Sequence, residues 1–222
     1  MNWSSSRSDP GPDHAGFFAG RVRLLPLLAL AISMSILLFG VPTAHAHSPT
    51  HERSRQDARG LGGEFELVDT DGRAFKLSSL RGKIVLIYFG YTGCPDACPT
   101  DLLLFRDLLE RLGSRKHSVQ PIFISVDPAR DTPKNLAAYT IAFSPAIRAL
   151  TGSERKLRQV AKAYGSYINY VGRTPGSTTY TVDHSLNIYV VNGGGKLVSV
   201  IPFGTPLDEV VRRIEGMLDK PG

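Results

Sequence analysis

The feature that most constrains this 222-residue chain is a short apolar run near its centre. Residues 83–89 read KIVLIYF, with one charged residue at the start and no alternation of apolar and polar positions. Such a run is typical of a β-strand that is buried on both faces, because a strand with one solvated face alternates. A strand of this kind needs packed layers on both sides, so the run predicts an α/β protein with a central sheet.

The segments around this run complete the predicted fold. Alternating residues around the turn at 69–72 predict an N-terminal β-hairpin over residues 64–75. Thr132 or Asp131 is expected to cap the helix that Pro133 opens. The other predicted elements are helices at 99–112, 153–164 and 207–218, strands at 119–126 and 146–150, a loop at 165–182, and hairpin strands at 186–191 and 197–201. This order predicts a thioredoxin-like fold, an α/β architecture with a central mixed sheet flanked by helices and an N-terminal β-hairpin.

The first 46 residues are typical of a targeting segment. Arg21 and Arg23 precede an apolar stretch over residues 24–41, and Ala44-His45-Ala46 follows as a signal-peptidase motif. The apolar stretch also approaches the length that crosses a bilayer, which is roughly 20 residues. Residues 1–46 are therefore interpreted as a signal peptide or a membrane anchor.

The remainder of the chain divides into a polar linker, residues 47–63, and a folded domain, residues 64–220. Both interpretations of the N-terminal segment place the domain outside the cytoplasm. We therefore expect an exported protein, in the periplasm or on the outer side of the inner membrane. Because that compartment is oxidising, a pair of cysteines there must be kept reduced, bound to a metal or cycled.

Charge and cysteine count exclude two classes of protein. The 26 Lys and Arg and the 20 Asp and Glu leave a net charge of only +6, and the basic residues are scattered, so no nucleic-acid partner is expected. Two cysteines cannot form a disulfide scaffold. Cys94 and Cys98 are therefore interpreted as residues that carry chemistry.

Cys94 and Cys98 lie where the buried strand ends and the next helix begins. Because Pro95 and Pro99 suit a first helical turn, both thiols are expected at a helix N-terminus, where the helix dipole favours thiolate. The spacing of four would put both sulfurs on one helix face, close enough to form a disulfide or bind one metal ion. Two thiolates suit Cu(I), whereas a structural zinc site normally has four protein ligands. His184, which is expected in a loop facing this helix, is the best candidate for a third ligand.

Three motifs carry a family resemblance, namely GYTGCPDACP at 90–99, FISVDPARDTP at 123–133 and TVDHSLNIYVV at 181–191. Together they closely resemble the Sco/SenC copper-binding proteins of cytochrome oxidase assembly. The resemblance implies a thioredoxin-like fold and copper bound by both cysteines of CxxxCP and by the histidine of the DHS motif. It also implies that the client is the dinuclear CuA centre of oxidase subunit two. Cys94, Cys98 and His184 match the three ligand positions, and members of the family are usually tethered to the membrane by an uncleaved helix.

The donor residues predict a copper site, and the resemblance implies a copper metallochaperone that delivers copper, as Cu(I), Cu(II) or both, to the CuA centre of cytochrome c oxidase. Its expected partners are oxidase subunit two and an upstream thiol reductant or copper donor. The alternative is a thiol–disulfide oxidoreductase that reduces the CuA-site cysteines, with Cys94 and Cys98 as its catalytic pair. Such enzymes usually carry CxxC and a cis-proline opposite the thiols. This alternative is disfavoured because this chain carries CxxxC and has His184 in the loop that is expected to face the thiols. A peroxiredoxin is disfavoured because Tyr91, and not Thr, lies three residues before Cys94.

Several residues near the motifs leave more than one interpretation open. Asp183 is expected either to orient His184 or to serve a turn, and Asp96 either to tune the cysteines or to lie in solvent. Asp127 is a candidate support residue at the edge of the site, whereas Asp131 is more simply a helix cap. Tyr164, Tyr167, Tyr170 and Tyr180 are expected to pack or to face a client, and His45, His47 and His51 to lie in a solvated linker.

Overall fold

The structure is a computed structural model and describes residues 60–219. Its strands are β1 (Glu66–Asp69), β2 (Ala74–Lys76), β3 (Ile84–Gly90), β4 (Val119–Ser125), β5 (Arg148–Thr151), β6 (Ile168–Val171), β7 (Thr181–His184), β8 (Ile188–Val191) and β9 (Leu197–Ile201). Its α-helices are α1 (Ala97–Leu112), α2 (Pro133–Ile141), α3 (Glu154–Ala163) and α4 (Leu207–Leu218), and 3-10 turns cover Leu77–Leu80 and Gly113–Ser118. The predicted targeting segment, 1–46, and most of the predicted linker lie outside the described residues.

Seven strands form a mixed sheet in the order β2-β1-β5-β4-β3-β8-β9. The central strands β3, β4 and β5 are parallel, whereas β1 pairs antiparallel with β5 and β8 pairs antiparallel with β3. The N-terminal hairpin is β1–β2, and β8–β9 forms the late hairpin. The predicted α/β, thioredoxin-like fold, with a central mixed sheet flanked by helices and an N-terminal β-hairpin, is confirmed.

Strand β3 anchors both faces of the sheet, and all seven of its residues are buried. Alternate side chains such as Ile87 and Phe89 pack with α3, whereas Leu86 and Tyr88 pack with α1 and α4. Because fully burying a large apolar side chain contributes about 1.5–3 kcal/mol, this strand fixes the sheet between the two helical layers. The packing on both faces therefore fixes the position of the end of β3, which the cysteines follow.

The region 165–182, which the sequence predicts as a loop, contains a two-stranded sheet instead. Strands β6 and β7 pair antiparallel with Ile168 opposite His184 and Val171 opposite Thr181. Each strand has only four residues, which is too short for a clear alternation, and glycine and hydroxyl residues dominate the segment between them. His184 therefore ends a strand, where the sequence predicted a loop.

The last residues of the predicted linker contact the folded domain. The Gly62 N–H donates to the Ala163 carbonyl at 2.7 Å, and the Tyr164 hydroxyl donates to the Gly63 carbonyl at 2.9 Å. The packed unit therefore includes residues before 64. Between residues 60 and 219, no helix combines the length and the apolar character needed to cross a membrane.

Candidate metal centre

Cys94, Cys98 and His184 come together at the end of β3. Their sulfur and ring-nitrogen atoms lie within 4.8 Å of one another, and Cys98 Sγ is 3.8 Å from His184 Nε2. Neither cysteine is in a disulfide. Within residues 60–219 this is the only cluster of three His, Cys, Asp or Glu side chains arranged to hold a metal ion. The fold thus brings together the three predicted donors, although 86 residues separate Cys98 from His184.

The two cysteines do not share a helix, so that part of the prediction is wrong. Helix α1 begins at Ala97 with Asp96 as its N-cap residue, and only Cys98 lies in its first turn. Cys94 lies in the preceding turn, where its N–H donates to the Tyr91 carbonyl at 3.2 Å. The physical reason is Pro95, because a residue before proline is disfavoured in helical conformation.

Cys98 is packed against the end of β3 and is fully buried. Gly90 permits this approach, because a Cβ atom there would lie 2.8 Å from Cys98 Sγ and 2.7 Å from a ring carbon of Phe123. The Tyr88 hydroxyl lies 3.8 Å from Cys98 Sγ and donates a hydrogen bond to it. Cys94, in contrast, is only partly buried, so it forms the accessible edge of the site.

The His184 ring is oriented by a main-chain carbonyl and by two aromatic neighbours. Its Nδ1 lies 3.1 Å from the Ser185 carbonyl oxygen, which can only accept. This contact assigns a ring proton to Nδ1, so Nε2 is the ring nitrogen that faces Cys98 and that would bind a metal ion. The rings of Tyr88 and Tyr91 meet the imidazole edge-on at centroid distances of 6.1 and 5.9 Å.

The pKa values of the Cys94 and Cys98 thiols are shifted in opposite directions. The pKa of Cys94 is lowered from 9.0 to about 3, chiefly because the Cys98 thiol donates a hydrogen bond to its sulfur. Burial opposes this, whereas His184 and the main-chain N–H groups of Cys98 and Asp96 lower the pKa further. The pKa of Cys98 is raised, because its thiol donates to Cys94 and because it is buried. In the metal-free protein at neutral pH, Cys94 is a thiolate and Cys98 a thiol.

Asp101, which the sequence analysis missed, is a buried carboxyl near this pair. It is 2% exposed, and its Oδ2 has no hydrogen-bond partner among the described residues. The pKa of Asp101 is raised from 3.8 to about 7, chiefly because the carboxyl is buried. Tyr88 and His184 act to lower this pKa, and the charge of Cys94 acts to raise it. The sequence signal is an acidic residue on the apolar stripe of α1, beside Leu102.

Of the two residues predicted to cap α2, Thr132 is confirmed and Asp131 is wrong. Thr132 is the cap, and its Oγ1 accepts a hydrogen bond from the Asn135 N–H at 3.2 Å. Asp131 instead accepts from the Thr92 N–H at 3.1 Å and from the Thr92 hydroxyl at 2.5 Å. It therefore holds the turn that leads into Cys94.

The other singled-out residues also have defined places. Asp183 is exposed on β7, and the His184 ring contacts the Ser185 carbonyl instead of this carboxylate. The Asp96 side chain is also exposed, and only its main-chain N–H lowers the pKa of Cys94. Asp127 is fully buried, forms an ion pair with Arg130 and accepts from the Tyr180 hydroxyl at 2.6 Å. Three of the singled-out tyrosines, Tyr164, Tyr170 and Tyr180, belong to the core or pack against it, whereas Tyr167 is 59% exposed.

A cleft of ≈ 470 Å³ leads to the cluster and is lined by Cys94, Tyr167 and residues 182–187. Because Cys98 and His184 are buried, a metal ion or a client would meet Cys94 first. A second cleft of ≈ 470 Å³ lies where β3 and β4 begin, at the opposite end of these strands, and no cysteine lines it. Donor chemistry, and not cavity size, therefore identifies the candidate site.

The donor set fits a soft metal ion. Thiolate and imidazole bind zinc at about 2.3 and 2.0–2.1 Å, and an angle of about 120° would separate such donors by about 3.8 Å. That is the separation of Cys98 Sγ and His184 Nε2. Two sulfurs and one nitrogen fall short of the four ligands of a structural zinc site, and thiolates favour copper over hard cations.

Comparisons with known proteins identify the family of the chain. The SCO1/SenC family profile matches residues 53–219. The SCO2-like protein of Rickettsia felis is 30% identical over 197 residues, which cover 88% of this chain and 96% of that protein. Copper-bound ScoI of Bradyrhizobium japonicum has a TM-score of 0.64 and 36% identity, covering 71% of this chain and 99% of that one. Copper-bound yeast Sco1 has a TM-score of 0.67 and 34% identity, covering 73% and 91%. This chain therefore belongs to the SCO1/SenC family.

Proposed function

We propose that this protein binds copper through Cys94, Cys98 and His184 and delivers it to the CuA centre of cytochrome c oxidase. The observation that carries the proposal is the cluster of two sulfurs and one imidazole nitrogen within 4.8 Å. Membership of the family and the copper reported in two similar structures support it. Copper is the cargo in this role, and a site with only three protein ligands leaves room for a client's ligands.

The protonation of the site suits uptake from the cleft. Cys94 is already a thiolate at the accessible edge, so it meets the ion without first losing a proton. Cys98 must release its proton as it binds, which makes uptake proton-coupled. The Nε2 lone pair of His184 completes the set. In delivery, client thiolates would replace these ligands stepwise, beginning with Cys94. A Cys94–Cys98 disulfide would bind no copper, so an upstream thiol reductant or copper donor is part of the proposal.

Metal analysis of the reduced protein and four alanine variants tests the site. Wild type should bind one copper, and Cys94→Ala and Cys98→Ala should each lose it. His184→Ala should lose Cu(II) and its sulfur-to-copper charge-transfer absorption, yet retain weaker Cu(I) binding through two thiolates. His117→Ala is the matched control, because this histidine is exposed on the 3-10 turn at the far end of the sheet.

The delivery role is tested in cells that lack the wild-type protein and grow at limiting copper. His184→Ala should fail to support copper loading of the oxidase, whereas His117→Ala should support it fully. Full retention of copper by either cysteine variant would contradict the shared site. Full oxidase loading by His184→Ala would contradict copper transfer through this site.

A second function, reduction of the oxidase cysteines, is favoured by the unequal thiols. A partly exposed thiolate at Cys94 beside a buried thiol at Cys98 is the arrangement of an attacking and a resolving cysteine. Dithiol exchange needs no nitrogen ligand, so thiol–disulfide cycling should survive in His184→Ala. If that variant supports the oxidase at limiting copper, the reductase function takes precedence.

We also propose that the domain works outside the cytoplasm, on the basis of the N-terminal sequence. If residues 44–46 are the cleavage motif, the exported protein should begin at His47 and should leave the membrane fraction at alkaline pH. Recovery of residues 24–41 in the alkali-washed pellet would instead support a membrane tether. Protein remaining in the cytoplasm would contradict export.

A further inference from the structure

The hairpin that carries His184 is a separate structural unit. Strands β6 and β7 pair only with each other, and β7 ends at His184. A two-stranded hairpin is marginally stable at best without other packing. The distance from His184 to the cysteines therefore depends on whatever holds this hairpin against the rest of the domain.

Arg130 makes the main connection between the hairpin and the loop after β4. Its Nη1 donates to the Tyr180 carbonyl at 2.8 Å and to the Thr178 carbonyl at 3.3 Å. Its guanidinium lies 3.7 Å from the centroid of the Tyr180 ring. Asp127, which is fully buried, forms an ion pair with Arg130 and accepts from the Tyr180 hydroxyl. Arg130 thus contacts both the main chain and the aromatic ring of Tyr180, the residue immediately before β7.

This contact belongs to a ladder of alternating cations and aromatic rings that ends at the metal site. Its successive members are Arg158, Tyr170, Arg173, Tyr180, Arg130 and Tyr91. Adjacent members lie 3.7–5.5 Å apart, measured from guanidinium carbon to ring centroid. Tyr91, the last member, meets the His184 ring at 5.9 Å. The ladder therefore runs from α3 across the hairpin to the histidine.

The same loop also holds the cysteine side of the site. Asp131, the residue after Arg130, accepts from the main chain and hydroxyl of Thr92, two residues before Cys94. The Val126 carbonyl accepts from the Tyr170 hydroxyl of the hairpin at 2.7 Å. Residues 126–131 therefore connect the β6–β7 hairpin, which carries His184, to the turn that carries Cys94.

We propose that Arg130 is a positioning residue that keeps His184 within coordinating distance of Cys94 and Cys98. It lies outside the proposed ligand set, and it acts by holding the β6–β7 hairpin closed on the site. The proposal rests on the copper site proposed above and assigns Arg130 a selective effect. Cu(II) needs the imidazole nitrogen, whereas the two thiolates suffice to retain Cu(I).

Loss of the guanidinium should lower the fraction of molecules whose hairpin is closed. The apparent affinity for an ion that needs the closed state falls in proportion to that fraction. Since Arg130 supplies two charge-assisted hydrogen bonds and a stacked cation, we expect Arg130→Gln to weaken Cu(II) binding by about tenfold to hundredfold. Cu(I) binding should weaken by a smaller factor than Cu(II) binding, because both thiolates remain.

Copper titrations of the reduced full chain test this with three variants and a control. Arg130→Gln removes the cation that stacks on Tyr180. Arg130→Lys keeps a cation beside Asp127 but loses the planar guanidinium, which both hydrogen-bonds to the main chain and stacks on the ring. The third variant joins Arg130→Gln to His184→Ala. Arg111→Gln is the control, because Arg111 forms an exposed ion pair with Asp208 between α1 and α4. The readouts are the Cu(II) charge-transfer band, competition constants for Cu(I) and Cu(II), and amide hydrogen exchange of residues 168–184.

Support requires a weakened Cu(II) band in Arg130→Gln, faster exchange within 168–184, and wild-type behaviour of the control. The double variant should bind Cu(I) no more weakly than His184→Ala alone, because Arg130 acts through the histidine. If the glutamine variant does not fold, Arg130→Lys carries the test with the same expected selectivity for Cu(II). Wild-type Cu(II) binding in a folded Arg130 variant would overturn the proposal, as would equal losses of Cu(I) and Cu(II).

These outcomes are distinct from a failure of the proposed copper site. If His184→Ala itself binds Cu(II) like wild type, the ligand set is wrong. If His184→Ala loses Cu(II) and folded Arg130 variants do not, the ligand set stands and only the positioning role is refuted.

Discussion

Replacing Asp101 by asparagine should change how the stability of the metal-free protein depends on pH. In the folded state the pKa of this carboxyl is raised from 3.8 to about 7 by burial, so the protonated form is the one that the fold favours. Well below pH 3.8 the carboxyl is neutral in both the folded and the unfolded chain, so it does not change the free energy of unfolding. As the pH rises from about 4 to about 7, the unfolded chain ionises first and wild-type stability falls.

The size of this effect follows from the shift. At about 1.36 kcal/mol per pKa unit, a rise from 3.8 to about 7 corresponds to a loss of about 4 kcal/mol at pH 8 relative to pH 4. Asp101→Asn has no carboxyl to ionise. Its free energy of unfolding minus that of wild type should therefore increase by about 4 kcal/mol over this range.

The assay is urea unfolding of both proteins, reduced and metal-free, followed by circular dichroism from pH 4 to pH 8. Taking the difference between the two proteins removes the contribution of every other titrating group that the substitution leaves unchanged. Glu110→Gln is the matched control on the same helix, because Glu110 is solvent-exposed, and its difference should stay flat. A flat or falling difference for Asp101→Asn would refute the reasoning that burial holds this carboxyl protonated.

Two further predictions concern the cysteines. Gly90→Ala should lower stability by about 1–3 kcal/mol and weaken copper binding, because its Cβ would lie 2.8 Å from Cys98 Sγ. Gly93→Ala, whose Cβ would have its nearest neighbour at 3.4 Å, is the control, and equal melting temperatures and copper titrations for the two variants would contradict the prediction. Alkylation of Cys94 in the reduced apo protein, measured by mass spectrometry, should have a nearly constant rate from pH 5 to pH 8, because the pKa of Cys94 is about 3. A rate that climbs about tenfold per pH unit, as for an ordinary thiol, would show that Cys98 does not stabilise the Cys94 thiolate.

The main elements of the domain were predictable because their signals are local. The apolar run of β3 and the stripe of α1 report which side chains are buried, and a strand buried on both faces implies covering layers. The β6–β7 hairpin was not predictable in this way. Its strands have only four residues each, and the hairpin is stabilised by contacts of Tyr180 with Arg130 and of Tyr170 with Val126. These partners are 50 and 44 residues apart in the sequence, and no local pattern reports such contacts.

The candidate site likewise has features that the sequence predicts and features that depend on the tertiary structure. The sequence by itself determined its chemistry: two cysteines spaced for one ion, a histidine in a distant motif, and too few ligands for structural zinc. Only the tertiary structure decided that Cys94 lies outside the helix and that Cys98 holds the proton. It also decided that Asp131 and Arg130 connect the two sides of the site. The physical reason is that donor identity is a property of single residues, whereas distance, burial and proton placement depend on neighbours that folding brings together from remote segments.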